Sequence, residues 1–362
     1  MKIQRIETYA SGAIGVVKVV AEDGSEGFGQ MAPFNADISA LVLHRHVAPV
    51  ALGADAFGID ALAARVMEAN YKFPGSYVRR SFSGLDTALW DLRGKLEGRP
   101  VCELLGGTPG PVPVYGSSMS RSISPEHEAA RMARLRDDQG FRAFKLRIGK
   151  VNGHNQDEWP GRTEALVPTV RKAVGDHVAL LVDANGCYTA QRAIEVGYML
   201  EANGVVHFEE PCPYWEYEWT AQVAESLQVP VAGGEQDCFL HQWRRMIAMR
   251  AVDIAQPDVC YVGGVARLMQ VARMAADAGL LCVPHAANRS MLQVFTMHIL
   301  RAIPNAGPFM EYSIESQESM TGIYDPMPRA YGGEAEFPEG PGWGITVRPE
   351  WLEAADRQVS EV

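Results

Sequence analysis

Val178-Ala-Leu-Leu-Val-Asp183 sets the pattern for the middle of the chain: five apolar residues end in an acid, shortly after the turn Gly175-Asp176. A short apolar run of this kind is typical of a parallel strand that is buried on both faces. Other acids and one histidine follow at nearly constant intervals of 26, 26, 23 and 27 residues, namely Asp183, Glu209, Glu235, Asp258 and His285, and Glu311 lies a further 26 residues on.

These intervals match one strand, one helix and two short loops, which is the repeating unit of a (β/α)8 barrel. Amphipathic stretches such as residues 191–200 and 265–278 lie between the apolar runs. Alternating strands and helices predict parallel βαβ units and therefore an α/β barrel. Active-site side chains of such barrels lie at the carboxyl ends of the strands, so we expect the whole series to face one barrel mouth.

The first part of the chain has a different pattern and predicts an α+β capping domain over residues 1–112. Residues 16–22 alternate as a half-buried strand, Asp23-Gly24 is typical of a hairpin turn, and residues 26–30 resume the extended pattern. Helical patterns follow at about residues 40–51, 60–69 and 82–97. We place the catalytic barrel at residues 113–320, and we expect residues 321–362 to return to the capping domain.

The amino-acid composition restricts the binding partners and the cellular compartment that we expect for this protein. The chain has 362 residues, 47% of them hydrophobic, and a net charge of −11, which argues against nucleic acid as a partner. No apolar run approaches the ~20 residues of a membrane helix, and no signal-peptide core is visible, so we expect a cytoplasmic protein without a membrane partner. The six cysteines are single and scattered, which predicts free thiols.

Three strand-end carboxylates suggest a metal site. Asp183, Glu209 and Glu235 would bring three negative charges to one point, where they repel each other unless a cation is present. An oxygen-only ligand set suits a hard cation such as Mg²⁺. Each acid taken alone could instead be a surface acid or a helix N-cap. One strand further on, Asp258 and His285 could form a carboxylate–imidazole dyad for proton transfer.

Several motifs together resemble the enolase superfamily and its mandelate racemase subgroup. They are Ser83-Gly-Leu-Asp-Thr-Ala-Leu-Trp-Asp-Leu-Arg-Gly-Lys95, Val182-Asp-Ala-Asn-Gly186, Glu209-Glu-Pro211, Gly234-Glu235, Gln256-Pro-Asp258 and Pro284-His285. The resemblance implies a modified (β/α)7β barrel and a homo-oligomer. It implies that Asp183, Glu209 and Glu235 bind one Mg²⁺ per subunit, that Asp258 and His285 form the acid/base dyad, and that Glu311 hydrogen-bonds a substrate carboxylate.

One motif departs from this family. The usual Lys-x-Lys of the second barrel strand is here Lys145-Leu-Arg147. A guanidinium is protonated at ordinary pH and is a poor base, so Arg147 suits substrate binding instead. Lys145 remains available to neutralise a carboxylate. We therefore expect one-base chemistry on His285 and disfavour racemisation by two bases.

The resemblance and this departure together favour a Mg²⁺-dependent acid-sugar dehydratase, which takes the proton α to a carboxylate and expels a β-hydroxyl. The alternatives are a lactone or anhydro-sugar cycloisomerase, a racemase or epimerase of a 2-hydroxy acid, and an inactive homologue that binds sugar acids. Candidate groups that would bind the small carboxylate substrate, besides Arg147, are Asn185, Tyr188, His207, Asn288 and Arg79 or its neighbour Arg80.

Overall fold

The N-terminal part of the chain is an antiparallel meander that packs against helices. The computed structural model describes residues 1–317 and 320–362. The three strands are β1 (Ile3–Ser11), β2 (Ile14–Ala21) and β3 (Glu26–Gln30). The helices are α1 (Ala36–Val42), a π-helical turn (Leu43–Val47), α2 (Ala48–Ala51), α3 (Ile59–Ala69), α4 (Ser76–Glu97) and α5 (Val101–Leu104).

Strand β3 and helix α4 approach each other closely, which explains two glycines of the strand. A Cβ atom at Gly27 would overlap the carbonyl oxygen of Ala88, and one at Gly29 would overlap the backbone of Gly84. Helix α4 begins six residues before the predicted start at Phe82, and both end at Glu97. The capping domain therefore has its own core between sheet and helix.

The middle of the chain forms the predicted barrel, with eight parallel strands and seven helices between them. The strands are β4 (Val112–Ser117), β5 (Ala143–Arg147), β6 (Ala179–Asp183), β7 (Val205–Glu209), β8 (Val231–Gly233), β9 (Ile254–Ala255), β10 (Leu281–Cys282) and β11 (Met310–Ser313). The intervening helices are α6 (Pro125–Gln139), α7 (Arg162–Val174), α8 (Ala190–Ala202), α9 (Tyr217–Ser226), α10 (Leu240–Ala248), α12 (Val265–Asp277) and α13 (Met291–Leu300). A short helix, α11 (Val259–Val262), precedes α12.

Strand register brings the site residues to the same height. Arg147 pairs with Asp183 across β5 and β6, and Asp183 pairs with Glu209 across β6 and β7. Strand β11 pairs in parallel with β4, which places Glu311 beside Tyr115 on the neighbouring strand. Equal register of strand ends is what directs side chains from different strands into one mouth.

The tail beyond the barrel contacts both parts of the molecule. It contains β12 (Tyr324–Asp325), β13 (Ala330–Tyr331), β14 (Glu334–Ala335), β15 (Thr346–Val347), α14 (Pro349–Ala354) and β16 (Asp356–Glu361). Strand β16 pairs antiparallel with β1, so this end does return to the capping sheet. Strand β14 instead pairs with β4 of the barrel. The domain limits 1–112, 113–320 and 321–362 stay a prediction, and residues 318 and 319 lie outside the described residues.

Side chains of the capping domain cap two barrel helices. Gln30 accepts the backbone N–H of Met291 (3.1 Å) and donates to the hydroxyl of Ser290 (2.9 Å) at the start of α13. Asp86 accepts the N–H of Val265 (2.6 Å) at the start of α12. The first N–H groups of a helix have no partner inside the helix, so these contacts fix the capping domain on the barrel.

The cysteines agree with the sequence-based expectation. All six are buried free thiols.

No helix among residues 1–317 and 320–362 is long and apolar enough to cross a membrane. The cytoplasmic location and the homo-oligomer stay predictions.

Candidate active site

A cavity of about 530 Å³ opens at the carboxyl ends of the barrel strands. Four residues of the predicted site line it: Arg147, Asn185, Glu235 and His285. Lining residues that were not predicted from the sequence include Phe34, Met119, Arg121, Tyr214, Gln236 and Tyr261. The volume lies within the ~300–1,000 Å³ that small-molecule sites occupy.

Lys145 lies at the floor of this site and is fully buried. Its Nζ is 2.8 and 2.9 Å from the two carboxylate oxygens of Glu209 and 2.9 Å from Oε1 of Glu311. Burial lowers the pKa of Lys145, but Glu209 and Glu311 outweigh this effect and raise it well above its usual range. Lys145 therefore stays protonated, as the sequence analysis expects of a neutralising cation.

Glu311 is fixed by three different donors. Besides Lys145, Ser117 donates its hydroxyl to Oε1 (2.7 Å), and the N–H of Ala286 donates to Oε2 (3.3 Å). Burial raises the pKa of Glu311, but Lys145 and His285 outweigh this and lower it to about 2. With the side chains as they stand, Glu311 is a carboxylate that accepts hydrogen bonds.

Arg147 is buried and bound to the first strand-end acid. Its guanidinium donates to Asp183, to Oδ1 of Asn185 (2.9 Å) and to the carbonyl of Ser118 (3.2 Å). Burial lowers the pKa of Arg147, but Asp183 and Glu311 raise it above the ordinary arginine value. Arg147 cannot lose a proton in this setting, which agrees with the interpretation of the Lys-x-Arg motif.

His285 and Asp258 form a hydrogen-bonded pair. Nδ1 of His285 is 2.8 Å from Oδ2 of Asp258, and Nε2 is 3.2 Å from Oε2 of Glu235. Burial alone would lower the pKa of His285, but Glu235, Asp258 and Glu311 raise it to about 10. Nε2 faces the side of the cavity on which Glu235 lies, so it is the ring nitrogen available for proton transfer.

The three predicted metal ligands, Asp183, Glu209 and Glu235, interact electrostatically with one another in the barrel mouth. Asp183 and Glu209 are buried, and Glu235 has an exposed fraction of 12%. Next to them, Glu210 takes a left-handed backbone conformation (φ 41°), and its Oε1 has no hydrogen-bond partner. Burial raises the pKa of Glu210 well above its usual range, and Glu235 and Asp183 add to the effect.

The donor set of this site fits a divalent cation. The mouth gathers several acidic groups: Lys145 and Arg147 pair with Asp183, Glu209 and Glu311, and Glu210 and Glu235 lie beside them. Like charges at this density need further positive charge. Among the described residues, no three acidic, histidine or cysteine side chains converge into a ready ion-binding group. A cation bound at Asp183 would have to replace the ion pair of this residue with Arg147.

The predicted substrate-binding residues are only partly brought together. Asn185 lines the cavity, and its backbone N–H donates to Asp183 (2.8 Å). His207 lies inside the barrel, 3.2 Å from Oε2 of Glu209, and Asn288 accepts the N–H of Ser290 (3.2 Å) at the start of α13. His207 and Asn288 thus support other site elements and do not line the cavity.

Tyr188 and Arg79 lie outside the cavity. Tyr188 is buried in the main hydrophobic core, because the loop after β6 turns its ring toward the barrel wall. Arg79 donates to the carbonyls of Pro74 and Gly75 and stacks on Phe239, 3.7 Å from the ring centroid. Their placement does not support direct substrate contact.

Arg80, the other arginine that the sequence offered for substrate binding, contacts two residues that line the cavity. Its guanidinium stacks 3.7 Å from the ring centroid of Tyr261 and donates to Oε1 of Gln236 (3.2 Å). Gln236 in turn donates its Nε2 to Oε1 of Glu235 (3.1 Å). A side chain of the capping domain thus reaches a proposed metal ligand through one amide.

The comparison with known families agrees with this geometry. Residues 4–106 match the N-terminal domain of mandelate racemase/muconate lactonizing enzymes, and residues 127–351 match the enolase C-terminal domain-like family. The chain belongs to the mandelate racemase/muconate lactonizing enzyme family. The two matched regions correspond to the capping sheet with its helices and to most of the barrel.

Curated relatives within the mandelate racemase family act on acid sugars. An arabinonate dehydratase from Saccharolobus solfataricus is 29% identical over 92% of this chain and 88% of its own. A D-galactarolactone cycloisomerase from Agrobacterium fabrum is 31% identical over 75% of this chain and 72% of its own. These two proteins represent the dehydratase and cycloisomerase alternatives.

Solved structures of mandelate racemase family proteins share the whole fold. A protein from Roseobacter denitrificans, provisionally described as a racemase, is 53% identical with a TM-score of 0.98, and both chains are covered in full. A mandelate racemase/muconate lactonizing protein from Paracoccus denitrificans, complexed with magnesium, is 27% identical with a TM-score of 0.89, covering 100% of this chain and 99% of that one.

Proposed function

We propose that this protein is a Mg²⁺-dependent acid-sugar dehydratase. The observation that carries the proposal is the pair of His285 and Asp258 facing the strand-end carboxylates, with a bound arginine at the position where a second base would stand. One proton-transfer group suits a reaction that removes a proton and expels a leaving group on the same face. The acid-sugar relatives support the substrate class.

Asp183, Glu209 and Glu235 are the residues that we propose to hold Mg²⁺. Their carboxylate oxygens are ligands of the hard type that Mg²⁺ prefers. When bound, the cation would hold the substrate carboxylate and stabilise the negative charge that develops on it. The magnesium complex of the Paracoccus protein supports this assignment.

His285 is proposed to move the proton. Nε2 removes the proton α to the carboxylate, while Asp258 holds the imidazole and stabilises its charged form. A base must be neutral before it acts, and Glu235 is the strongest influence that raises the pKa of His285. A cation bound at Glu235 would offset this influence and lower the pKa of His285 toward neutral pH, where the imidazole can be neutral and act as a base.

Lys145 is proposed to stabilise the enediolate formed by proton loss, and Glu311 is proposed to hold Lys145 in place. Lys145 stays charged and lies at the floor of the site, where a fixed cation needs no reorganisation during the reaction. The His285 imidazolium then gives its proton to the β-hydroxyl, which leaves as water. The resulting enol ketonises to a 2-keto-3-deoxy acid. The net reaction is the loss of one water molecule from the acid sugar.

Two isomerase reactions remain as alternatives. A ring oxygen as leaving group would make the same residues a cycloisomerase, as in the Agrobacterium relative. The provisional description of the Roseobacter protein favours racemisation or epimerisation. Arg147 disfavours the latter, because its guanidinium stays protonated beside Asp183.

The test is a screen of acid sugars with Mg²⁺ in D2O, followed by proton NMR and by detection of 2-keto acids. We expect at least one aldonate or aldarate to give a 2-keto-3-deoxy acid. A 2-epimer that incorporates deuterium without 2-keto acid would replace dehydration by epimerisation. Absence of both exchange and product across the panel would contradict the proposed function.

A further inference from the structure

A second, much smaller cavity adjoins the active site and is lined by the loops that follow β7 and β8. It measures about 20 Å³, and Glu210 and Tyr214 line both this cavity and the active-site cavity. Apolar side chains, among them Met246 and Val252, form part of its wall. A cavity needs at least about 10–15 Å³ to hold one water molecule, so this one fits a single species of that size.

Two acids line the small cavity, and each has one carboxylate oxygen without a hydrogen-bond partner. Glu210 accepts the side-chain amide of Asn185 at Oε2 (3.3 Å), and its Oε1 has no partner. Asp237 accepts the hydroxyl of Tyr217 at Oδ1, and its Oδ2 has no partner. Both acids therefore keep one oxygen for a further ligand.

These two oxygens are shielded from water and from positive charge. Asp237 has an exposed fraction of 1%, and neither free oxygen is accessible to solvent. In the part of the chain that the structure describes, Glu209 and Glu235 have ion-pair partners, whereas Glu210 and Asp237 have none. A buried carboxylate without a compensating partner is costly, because it has lost its hydration.

Gly233, the last residue of β8, leaves room next to Glu210. It lines the small cavity, and a Cβ atom there would lie 3.8 Å from Cγ of Glu210 and 3.8 Å from Cγ1 of Val252. These are ordinary van der Waals distances, so alanine would fit at this position. Its methyl group would take up space that a bound species needs.

We propose that Glu210 and Asp237 bind a dehydrated monovalent cation of about the size of K⁺, at a site separate from the proposed Mg²⁺ site. Mg²⁺ itself fits poorly, since it demands near-ideal octahedral geometry and keeps several waters, for which this cavity has no space. Asp237 follows Glu235 by two residues, and Glu210 follows Glu209 directly. The cation connects the two loops and thereby stabilises the strand ends that carry two proposed Mg²⁺ ligands.

The experiment measures the thermal midpoint of the Mg²⁺-saturated protein while choline chloride is replaced by KCl at constant ionic strength. Choline is too large for the cavity. We expect K⁺ to raise the midpoint of the wild type by about 3 °C at a concentration of roughly 100 times its dissociation constant. Gly233→Ala should remove this increase by filling the cavity, and Asp237→Asn should remove it by deleting a charge. Glu225→Gln, at an exposed position of α9, is the matched control and should keep it.

Crystals of the full chain grown in RbCl identify the bound species, because Rb⁺ can replace K⁺ and scatters anomalously. We expect an anomalous peak between Glu210 and Asp237 in the wild type and none in Gly233→Ala. Equal midpoints in KCl and choline chloride, or a water molecule without anomalous signal at this position, would overturn the inference. An increase that persists in Gly233→Ala would also overturn it, because the cation would then bind elsewhere. None of these outcomes depends on turnover of acid sugars, so the proposed function is tested separately.

Discussion

Asp258 holds His285 with one carboxylate oxygen and is itself held by the other. Oδ2 lies 2.8 Å from Nδ1 of His285, while Oδ1 accepts the backbone N–H groups of Cys260 (2.7 Å) and Tyr261 (3.1 Å). The carboxylate is thus the N-cap of α11 and cannot rotate freely. It keeps the proton on Nδ1, so that Nε2 is the nitrogen that gives up and takes back a proton on the cavity side.

His285→Asn should abolish both product formation and exchange of the substrate α-proton, because no second base faces the substrate. Removal of a positioned general base costs about 10²–10⁴-fold in rate. Asp258→Asn should lower the rate as well, since the amide no longer fixes the imidazole tautomer. Deuterium incorporation from D2O, followed by NMR, measures exchange separately from product.

Arg147→Met tests whether a base acts on the face of the substrate opposite His285. If His285→Asn kept α-proton exchange while Arg147→Met lost it, Arg147 would be the base. That result would contradict one-base chemistry and would move epimerisation ahead of dehydration. Arg147→Lys is informative too, because it restores a titratable amine at this position.

Asp183→Asn should weaken Mg²⁺ binding and remove activity while the thermal midpoint changes little, because this carboxylate serves the site and not the hydrophobic core. Isothermal titration with Mg²⁺ gives the affinity, and circular dichroism checks the fold. Chelation by excess EDTA should stop turnover by the wild-type protein, and added Mg²⁺ should restore it. Full turnover in EDTA would disprove the metal assignment.

Arg80→Met should weaken Mg²⁺ binding by about 10–100-fold, which is the usual effect of losing a residue that orients a ligand. We propose no role for Arg80 in proton transfer. It orients the amide of Gln236 toward Glu235. The neighbouring Arg79→Met is the matched control, because Arg79 contacts Phe239 and two backbone carbonyls instead. Equal affinities for Mg²⁺ in the two variants would contradict this coupling.

His298 should make the protein sensitive to acid. Its Nδ1 accepts the N–H of Cys102 (3.1 Å), its Nε2 donates to the carbonyl of Trp343 (3.2 Å), and burial lowers its pKa from 6.5 to about 3. Below pH 6.5 His298 becomes protonated in the unfolded chain but stays neutral in the folded protein. The stability from this group is therefore complete above pH 6.5 and is lost as pH falls toward 3.

The measurement is the free energy of unfolding of wild type and His298→Gln at several pH values. The glutamine amide can accept and donate at similar positions without titrating. We expect the wild type to lose up to about 1.4 kcal/mol per pH unit relative to the variant between pH 6.5 and 3. His127→Gln, at an exposed position of α6, should show no such difference from the wild type. Parallel pH profiles for wild type and His298→Gln would refute the prediction.

The spacing of the acidic site residues follows from the repeat length of the barrel: Asp183 and Glu209 end β6 and β7 as predicted, whereas Glu311 lies inside β11, two residues before its end. Residues after the strand ends were harder to place. Tyr188 follows Asp183 by five residues, but the loop between them turns its ring into the core. Arg121 also follows a strand end, that of β4 at Ser117, and this was the signal that could have found it.

Contacts between distant segments could not be predicted from one sequence. The choice between Arg79 and Arg80 depends on which one meets Gln236, which lies 156 residues further along the chain. Asn288 is polar and near the site in sequence, yet its oxygen is used at the start of α13. Local sequence patterns indicate which residues follow a strand end. Three-dimensional packing determines which of these side chains can reach a ligand.

Strand β16 makes the two ends of the chain neighbours in one sheet, with Arg5 opposite Glu361 and Ala10 opposite Asp356. During synthesis β16 leaves the ribosome long after β1, because more than 340 residues separate the two strands. Until then, one edge of β1 has no partner and can pair with another nascent chain. A change that prevents β16 from docking on β1 would therefore leave this edge open and increase aggregation of newly made chains.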